Sequence, residues 1–305
     1  MFTKNTYNIG SFEVISVRNS QGIGIDFIPQ KGGAIHQLYL GAKADPIFSS
    51  FNQGDDIELD VLFKQALLFP FSSRLKAGKY SFEGKNYNFP INEVENNNAL
   101  HGFLSKETLE VESIDLSEDK AIINLVYKYD GGLKHYPFPF QINITYTVSQ
   151  SEFALDFTIE NQGSTSLPYG FGWHPYFEFK EGIRINMPES LKQLVDAKGI
   201  VTGQEKAFSD LSKYEVLTEP YDTCFKYQEK KPHTLVLGMG DEYSIELWQD
   251  ETLGYIQLYT PSFKQIALEP LTSNINALNT KKGLITLPAG EDNTHQIKII
   301  YKPNE

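Results

Sequence analysis

Hydrophobic and polar residues alternate along much of the chain, and the apolar positions are rich in β-branched and aromatic side chains. A period of two places successive side chains on opposite faces of an extended strand. The pattern predicts strands at Phe12–Val17, Gly24–Ile28, Ala121–Tyr127, Phe140–Val148, Phe153–Ile159, Leu235–Leu237, Tyr243–Trp248, Tyr255–Tyr259, Gln265–Leu268 and Gln296–Tyr301. Turn sequences such as Asn161-Gln162-Gly163 separate several of them.

Helical periodicity is nearly absent. In the best helical candidate, Asp56–Phe69, the apolar positions fit no single period, so we expect short irregular structure or one helical turn there. Many strands with almost no helix predict an all-β fold, a large antiparallel β-sandwich. Because no repeat or linker interrupts the pattern, we expect residues 1–305 to form a single domain.

Composition supplies a packed interior and narrows the class of ligand. The chain is 40% hydrophobic and 13% aromatic, with 17 Tyr and 21 Phe. Its 27 Lys and Arg against 39 Asp and Glu give a net charge of -12, which repels polyanions. We therefore expect no nucleic-acid partner, although a local pair of basic residues can still bind a small phosphorylated ligand.

Neither a leader nor a membrane span is predicted. The first residues, MFTKNTYNIGSFEV, contain no apolar run of the length that a signal peptide needs, and no segment approaches the roughly 18 to 20 apolar residues of a membrane helix. Cys224 is the only cysteine, so no internal disulfide and no multi-cysteine metal site can form. These features predict a cytoplasmic protein without a membrane partner.

Two histidines stand among glycines and aromatic residues. His101 lies in NNNALHGF and His174 lies in GFGWHPYF. Glycine lets a backbone approach a ligand, and aromatic faces can stack on the apolar side of a sugar ring. Each segment thus fits a pocket wall, while a hydrogen-bonded structural histidine beside a tight turn is the alternative.

Three charged residues are further candidates. Glu269 follows a strand-like apolar run and directly precedes Pro270, which places it where strand meets loop, and desolvation there would raise its basicity. The guanidinium of Arg74 can donate two hydrogen bonds to sugar hydroxyls, and the carboxylate of Asp222 can accept hydrogen bonds from vicinal hydroxyls. Each residue also has a structural alternative. Glu269 could be an exposed carboxylate at a strand edge, Arg74 could form a surface salt bridge, and Asp222 could form an Asx turn.

Five segments, in order, resemble the site-bearing segments of the aldose 1-epimerase or galactose mutarotase family. They are PFSSR, NNNALHGF, GFGWHPYF, YDTCF and LEPLTSNINALN. LHGF and GxGWHPYF are the most specific parts, and the matching segments span positions 70 to 279. The resemblance implies the large galactose mutarotase-like sandwich for nearly the whole chain.

The resemblance also implies roles. Glu269 would be the general base and His174 the general acid, while Arg74, His101 and Asp222 would hold the sugar. A base that removes the anomeric proton and an acid that protonates the ring oxygen open a cyclic aldose, and reclosure inverts the anomeric centre. Such chemistry requires Glu269 ionised and His174 protonated, and it uses a monosaccharide such as glucose or galactose without metal or cofactor.

Several alternatives remain open at this stage. Ser73 stands where galactose mutarotases often carry Asn before the arginine, so strict preference for galactose is not implied. A hexose-6-phosphate 1-epimerase would need basic residues near the pocket, for which Lys76, Lys79 and Lys264 are available. A non-catalytic carbohydrate-binding protein is another alternative, and the protein is expected to be a monomer or a homodimer.

Two further chemistries use the same side chains. His101, His174, Asp222 and Glu269 could converge on a metal ion, although their spacing matches no short ligand motif. A glycoside hydrolase needs two carboxylates beside the scissile bond, and Asp222 with Glu269 would supply them.

Overall fold

Alternating burial along the strands shows how the chain builds its sheets. In the strand Phe140–Val148, buried and half-buried residues alternate over its full length. It pairs in antiparallel register with Glu152–Asn161, so that Phe140 lies opposite Asn161 and Val148 opposite Phe153. A computed structural model describes residues 1–179, 182–262 and 264–304, and every named strand pair within these ranges is antiparallel.

Three large sheets hold most of the described strands. The first is a five-stranded meander of Phe2–Ile9, Phe12–Asn19, Gly24–Ile28, Ala34–Leu40 and Asp45–Pro46. The second has nine strands, in spatial order Glu110–Leu116, Ala121–Tyr129, Phe140–Val148, Glu152–Asn161, Asp292–Pro303, Tyr243–Gln249, His233–Gly238, Arg184–Asn186 and Glu215–Val216.

The third sheet carries the site. Its eight strands are, in spatial order, Val201–Phe208, Ser190–Val195, Asp222–Tyr227, Tyr255–Ser262, Gln265–Leu271, Gly172–Trp173 and Leu67–Leu68, with Tyr176–Glu178 also pairing with Gln265–Leu271. Small two-stranded sheets join Arg74–Lys76 to Asn98–Leu100, Lys79–Phe82 to Lys85–Asn88, and Leu167–Tyr169 to Ile285–Leu287. This architecture confirms the predicted antiparallel β-sandwich, and each predicted strand lies within an observed one.

Helices are short. The described residues form α-helices at Gly54–Leu59 and Ala277–Thr280 and 3₁₀ turns at Pro29–Lys31 and Leu104–Lys106. The candidate segment Asp56–Phe69 therefore holds part of one short helix, irregular backbone and the strand Leu67–Leu68, in line with its lack of a single period. Among all the residues that the structure describes, no helix is long and apolar enough to cross a membrane.

One boundary differs from the prediction. The strand that carries Glu269 does not end at Pro270 but continues to Leu271, and Pro270 lies opposite Ile256 in the ladder. Proline lacks an N–H for a ladder hydrogen bond and is confined to positions that do not need one. The neighbouring strand is interrupted here, between Gly172–Trp173 and Tyr176–Glu178, so Pro270 has no strand partner on that side.

One face of the third sheet packs into the main apolar core. Ile256, Leu258, Ile266 and Leu268 join a continuous apolar cluster with residues of the other two sheets. Period two turns the alternate residues of these strands to the opposite face. Glu269 and its ladder neighbour Gln257 therefore lie away from the main core.

Gly102 is required where the backbone of the His101 loop crosses the strand end at Phe69. Its φ is +68°, and an added Cβ would lie 2.1 Å from the Phe69 carbonyl oxygen. Gly84 has a φ of +75° in a hairpin turn, with open space around an added Cβ. The two positions thus share a left-handed backbone but differ in the steric clash.

We expect Gly102→Ala to lower the free energy of unfolding by at least about 3 kcal/mol, because the backbone must move away from Phe69. Gly84→Ala should lower it by about 1 to 2 kcal/mol, the strain of the left-handed backbone alone. Urea unfolding of both variants measures the difference. Equal losses would contradict the assigned clash.

Candidate active site

All five candidate residues line one cavity. This central cavity, with a volume of about 200 Å³, is bounded by side chains that include those of Arg74, His101, His174, Asp222 and Glu269. They come from separate parts of the chain, and the third sheet and the loops beside it bring them together. The structure thus supports the pocket interpretation of both histidines over that of isolated structural residues.

Glu269 and His174 form a buried pair in the wall of this cavity. His174 Nε2 lies 3.3 Å from Glu269 Oε1, and the two residues are only 4% and 3% exposed. The interruption beside Pro270 places His174, whose backbone N–H donates to Ala66 O and whose carbonyl accepts from Gln65 N–H. A strand break on one side and an intact strand on the other thus position the two side chains.

Burial decides the protonation of this pair. Removal from water raises the pKa of the Glu269 carboxyl well above its usual range; the negative charge of Asp222 adds to this rise and Arg74 opposes it. Burial also lowers the pKa of His174 to about 3. Both shifts favour the uncharged forms, a protonated carboxyl beside a neutral imidazole.

These directions correct the expectation of an ionised Glu269 beside a protonated His174. That expectation counted the attraction between the two charges but not the cost of burying both of them. The neutral pair and the charged pair have the same total number of protons, and they differ in whether one proton lies on Glu269 or on His174, whose nearest side-chain atoms are 3.3 Å apart.

His101 is fixed by its backbone and by one hydrogen bond. Its φ is +62°, and its ring Nδ1 lies 3.1 Å from the Ser72 carbonyl oxygen. Burial lowers the His101 pKa well below its usual value, and the repulsion between the two rings when both are protonated adds to this. The ring is therefore neutral, Nδ1–H donates to Ser72, and Nε2 is left as an acceptor.

Arg74 reaches the cavity already paired. Its Nε donates to Glu93 Oε1 over 2.9 Å, and its Nη2 lies 3.7 Å from Asp222 Oδ2. Asn98 Nδ2 donates to the other Glu93 oxygen over 2.8 Å. Gly199 lies against the guanidinium, since an added Cβ would come within 2.9 Å of Nε. This arrangement fixes the plane of the guanidinium fork.

The aromatic residues of GFGWHPYF have a different role from the one expected. Phe171, Trp173 and Phe177 are fully buried in the main core, so they support the site from behind rather than stack on a ligand. Of the Phe, Trp and Tyr residues in this segment, Tyr176 lines the cavity. Its ring stacks on that of His174 at a centroid distance of 5.0 Å.

Two other polar residues of the cavity wall, Gln257 and Tyr259, were not predicted from the sequence. Gln257 is 7% exposed, and its Nε2 donates to Asp222 Oδ1 over 2.6 Å. Tyr259 lies opposite Asp222 on the adjacent strand. A polar glutamine within the apolar strand YIQLY was the available signal, because it predicts a polar position on a buried sheet face.

The sequence model of the aldose 1-epimerase family matches residues 13–300. The chain belongs to the aldose 1-epimerase family. The Escherichia coli protein YihR is 22% identical over 237 residues, which cover 74% of this chain and 75% of YihR.

Solved structures related to this family share the fold. A galactose mutarotase-like protein from Clostridium acetobutylicum is similar, with a TM-score of 0.89 at 21% identity and 99% coverage of both chains. A galactose 1-epimerase from Lactobacillus acidophilus is similar with a TM-score of 0.82 at 14% identity, over 100% of this chain and 99% of that one. At such identities these likenesses establish the fold alone.

Four of the cavity side chains are also candidates for metal ligands. Within the described ranges, no group of three or more His, Cys, Asp or Glu residues is arranged to hold a metal ion. His101, His174, Asp222 and Glu269 line the same cavity; His174 lies 3.3 Å from Glu269, and the His101 ring packs edge-on against the His174 ring at a centroid distance of 5.4 Å.

We expect both cavity histidines to stay neutral from pH 5 to 8, because burial opposes their protonation. Nitrogen-15 chemical shifts of the two rings over this range measure it, with His101→Gln and His174→Gln variants used for assignment. His101 should show the tautomer protonated at Nδ1. Titration of His174 with a midpoint near 6.5 would contradict the assigned effect of burial.

Proposed function

We propose that the protein interconverts the α and β anomers of free aldohexoses, with Glu269 as general base and His174 as general acid. The observation that carries the proposal is the buried contact between these two residues in the wall of a small cavity. Membership of the aldose 1-epimerase family supports the same reaction class.

The proposed ring opening conserves the proton held by the pair. The Glu269 carboxylate removes the proton of the anomeric hydroxyl, whose oxygen forms the carbonyl as the bond from C1 to the ring oxygen breaks. The bond's electron pair passes to the ring oxygen, which takes a proton from His174. Rotation about the bond from C1 to C2 exposes the other carbonyl face, and reclosure along the reverse steps inverts the anomeric centre.

Substrate binding would convert the neutral pair into the reactive charged pair. In the free protein, burial favours the protonated carboxyl and the neutral imidazole. Sugar hydroxyls that hydrogen-bond to Glu269 stabilise its carboxylate, so the proton moves to His174. No net proton uptake is needed, and the acid and base are then in the states that the reaction requires.

The other three candidates would hold the sugar. In this proposal, His101 Nε2 accepts a hydrogen bond from a hydroxyl, while the Arg74 guanidinium and the Asp222 carboxylate supply a donor and an acceptor. The hydrogen bond from Gln257 holds one Asp222 oxygen, so the carboxylate keeps one direction. Fixed polar groups of this kind select orientation more than they add affinity.

Free sugars suit this cavity better than hexose 6-phosphates. Arg74 is the only Lys or Arg that lines it in the described part of the chain, and it is already paired with Glu93 and near Asp222. Lys76, Lys79 and Lys264 do not line it. A phosphate dianion would thus meet more negative than positive charge there.

Glu269→Gln should lower the rate of mutarotation by about 10²- to 10⁴-fold, because it removes the base while keeping the shape of the side chain. Polarimetry of freshly dissolved α-glucose and α-galactose measures it and ranks the two sugars. Glu118→Gln removes an exposed carboxylate elsewhere and serves as the matched control. Full activity in Glu269→Gln would refute the assigned base, and an inactive wild type would favour a carbohydrate-binding protein.

Asp222→Asn should move the acidic limb of the profile of kcat against pH to lower pH. The charge of Asp222 raises the pKa of Glu269, so its removal lowers that pKa and keeps the base ionised at lower pH. Asparagine retains an oxygen that can accept the hydrogen bond from Gln257. A limb that stays in place or moves to higher pH would show that Glu269 does not control it.

A further inference from the structure

A buried glutamine behind the cavity wall binds the segment that carries His174. Gln65 is 1% exposed and does not line the central cavity. Its backbone N–H donates to the His174 carbonyl oxygen over 3.0 Å, and its side-chain Oε1 accepts from the Tyr176 N–H over 2.8 Å. One residue therefore holds the chain on both sides of Pro175, which lies between His174 and Tyr176.

The other half of the side-chain amide of Gln65 reaches a third segment. Its Nε2 donates to the Ser49 carbonyl oxygen over 2.8 Å, and the Ser49 N–H in turn donates to the Tyr176 carbonyl oxygen over 2.8 Å. The amide of Gln65 thus joins the Tyr176 N–H to the Ser49 C=O and completes a ring of three hydrogen bonds. Because Ser49 and Tyr176 are buried, loss of the amide would cost one buried donor and one buried acceptor their partners.

This ring of hydrogen bonds lies where the third sheet is interrupted. The backbone pairing of Leu67–Leu68 with Gly172–Trp173 ends at Trp173. Two residues further on, Pro175 has no N–H to donate to a ladder. The side-chain amide of Gln65, with one C=O and N–H groups, here makes the hydrogen bonds that a backbone peptide makes in a continuous strand. A side chain thus fixes the irregular stretch that carries His174.

The backbone of Gln65 is itself held in an unfavourable conformation. Its φ is +56°, in the left-handed region that residues with a Cβ occupy at a cost. Such strain persists where the surroundings over-determine the conformation, and it is concentrated at functional sites. Here the hydrogen bonds of the backbone and of the side chain hold Gln65 in place. The strained residue is in direct contact with the backbone of His174.

We propose that Gln65 is a positioning residue for the general acid: it fixes the chain on both sides of Pro175 and thereby holds the His174 imidazole 3.3 Å from Glu269. The inference rests on the proposed function, which makes His174 the acid. Gln65 also acts through Tyr176, whose ring stacks on the imidazole at a centroid distance of 5.0 Å. Since Gln65 does not line the cavity, its loss should change the orientation of the acid and not the affinity for the sugar.

Gln65→Met removes both side-chain hydrogen bonds with little change in volume. We expect kcat for glucose mutarotation to fall about 10- to 100-fold, because a displaced catalytic group loses its alignment, while KM stays within about twofold of the wild-type value. Polarimetry over a range of glucose concentrations separates the two constants. An unchanged kcat, with or without a rise in KM, would overturn the positioning role.

Asn161→Leu is the matched control. The side-chain amide of Asn161 is also buried and bound to the backbone: Nδ2 donates to the carbonyl oxygens of Thr165 and Leu287, and Oδ1 accepts from the Gly163 N–H. Asn161 does not line the central cavity. Both variants should unfold at lower urea concentration than the wild type, but only Gln65→Met should lower kcat. Equal losses of kcat would overturn the proposal, because they would come from lowered stability.

Gln65→Asn decides the question if Gln65→Met does not fold. Asparagine occupies the left-handed region more readily than most residues, so this variant should keep the fold. Its amide is one methylene shorter and cannot reach both the Tyr176 N–H and the Ser49 carbonyl oxygen. We expect its kcat to fall about tenfold at an unchanged KM. A wild-type kcat in this variant would contradict the assigned role.

NMR resonances of the His174 ring provide a measurement that needs no turnover. Gln65→Met, or Gln65→Asn in its place, should shift the ring nitrogen-15 resonances of His174 from their wild-type positions, and Asn161→Leu should leave them unchanged. Shifted resonances together with a wild type that accelerates mutarotation of no sugar would refute the epimerase reaction and leave the positioning of His174 by Gln65 standing. An active wild type whose Gln65 variants keep both kcat and the His174 resonances would refute the positioning role and leave the reaction standing.

Discussion

The burial of Glu269 against His174 is the constraint on which the rest of the site depends. Two ionisable groups at 3.3 Å, each less than 5% exposed, cannot both carry charge without a large desolvation penalty. Burial therefore opposes the charged form of each group, raising the pKa of Glu269 and lowering that of His174. In a more exposed pair both pKa values would lie closer to their ordinary ones.

The fold supplies this burial by using both faces of one sheet. Ile266 and Leu268 enter the main core while Glu269, between Leu268 and Pro270, turns to the other face. That face would be exposed in a simple two-layer sandwich, but here loops cover it. The interruption of the adjacent strand at His174 brings the imidazole to the same face, so one irregularity both accommodates Pro270 and places the imidazole beside the carboxyl of Glu269.

Strand periodicity allowed the predicted strands and the antiparallel sandwich to be read from the sequence, because a buried sheet face leaves a local pattern. The five candidate residues that line the central cavity were selected from short motifs, in which His101 is followed by Gly102 and His174 stands two residues after Gly172. Local pattern does not report pairing between distant strands. The continuation through Pro270, the position of Gln257 opposite Glu269 and the burial that shifts the pKa values of the pair all depend on that pairing, so the sequence did not reveal them.

Some walls of the cavities are formed by regular strands and others by loops, and this difference bears on substrate specificity. Glu269, Gln257 and Asp222 lie on adjacent strands of one sheet, whose ladder holds their spacing. A second cavity, which shares Val61, Phe63 and Leu100 with the central one, is lined mostly by irregular segments: the end of the short helix Gly54–Leu59 with the residues after it, and the loops around residues 30, 92 and 105. Loops tolerate sequence change without loss of the fold, which is shared with solved structures at only 14% to 21% identity. The strands can therefore keep one chemistry while the loops determine which substituents on the sugar are accepted.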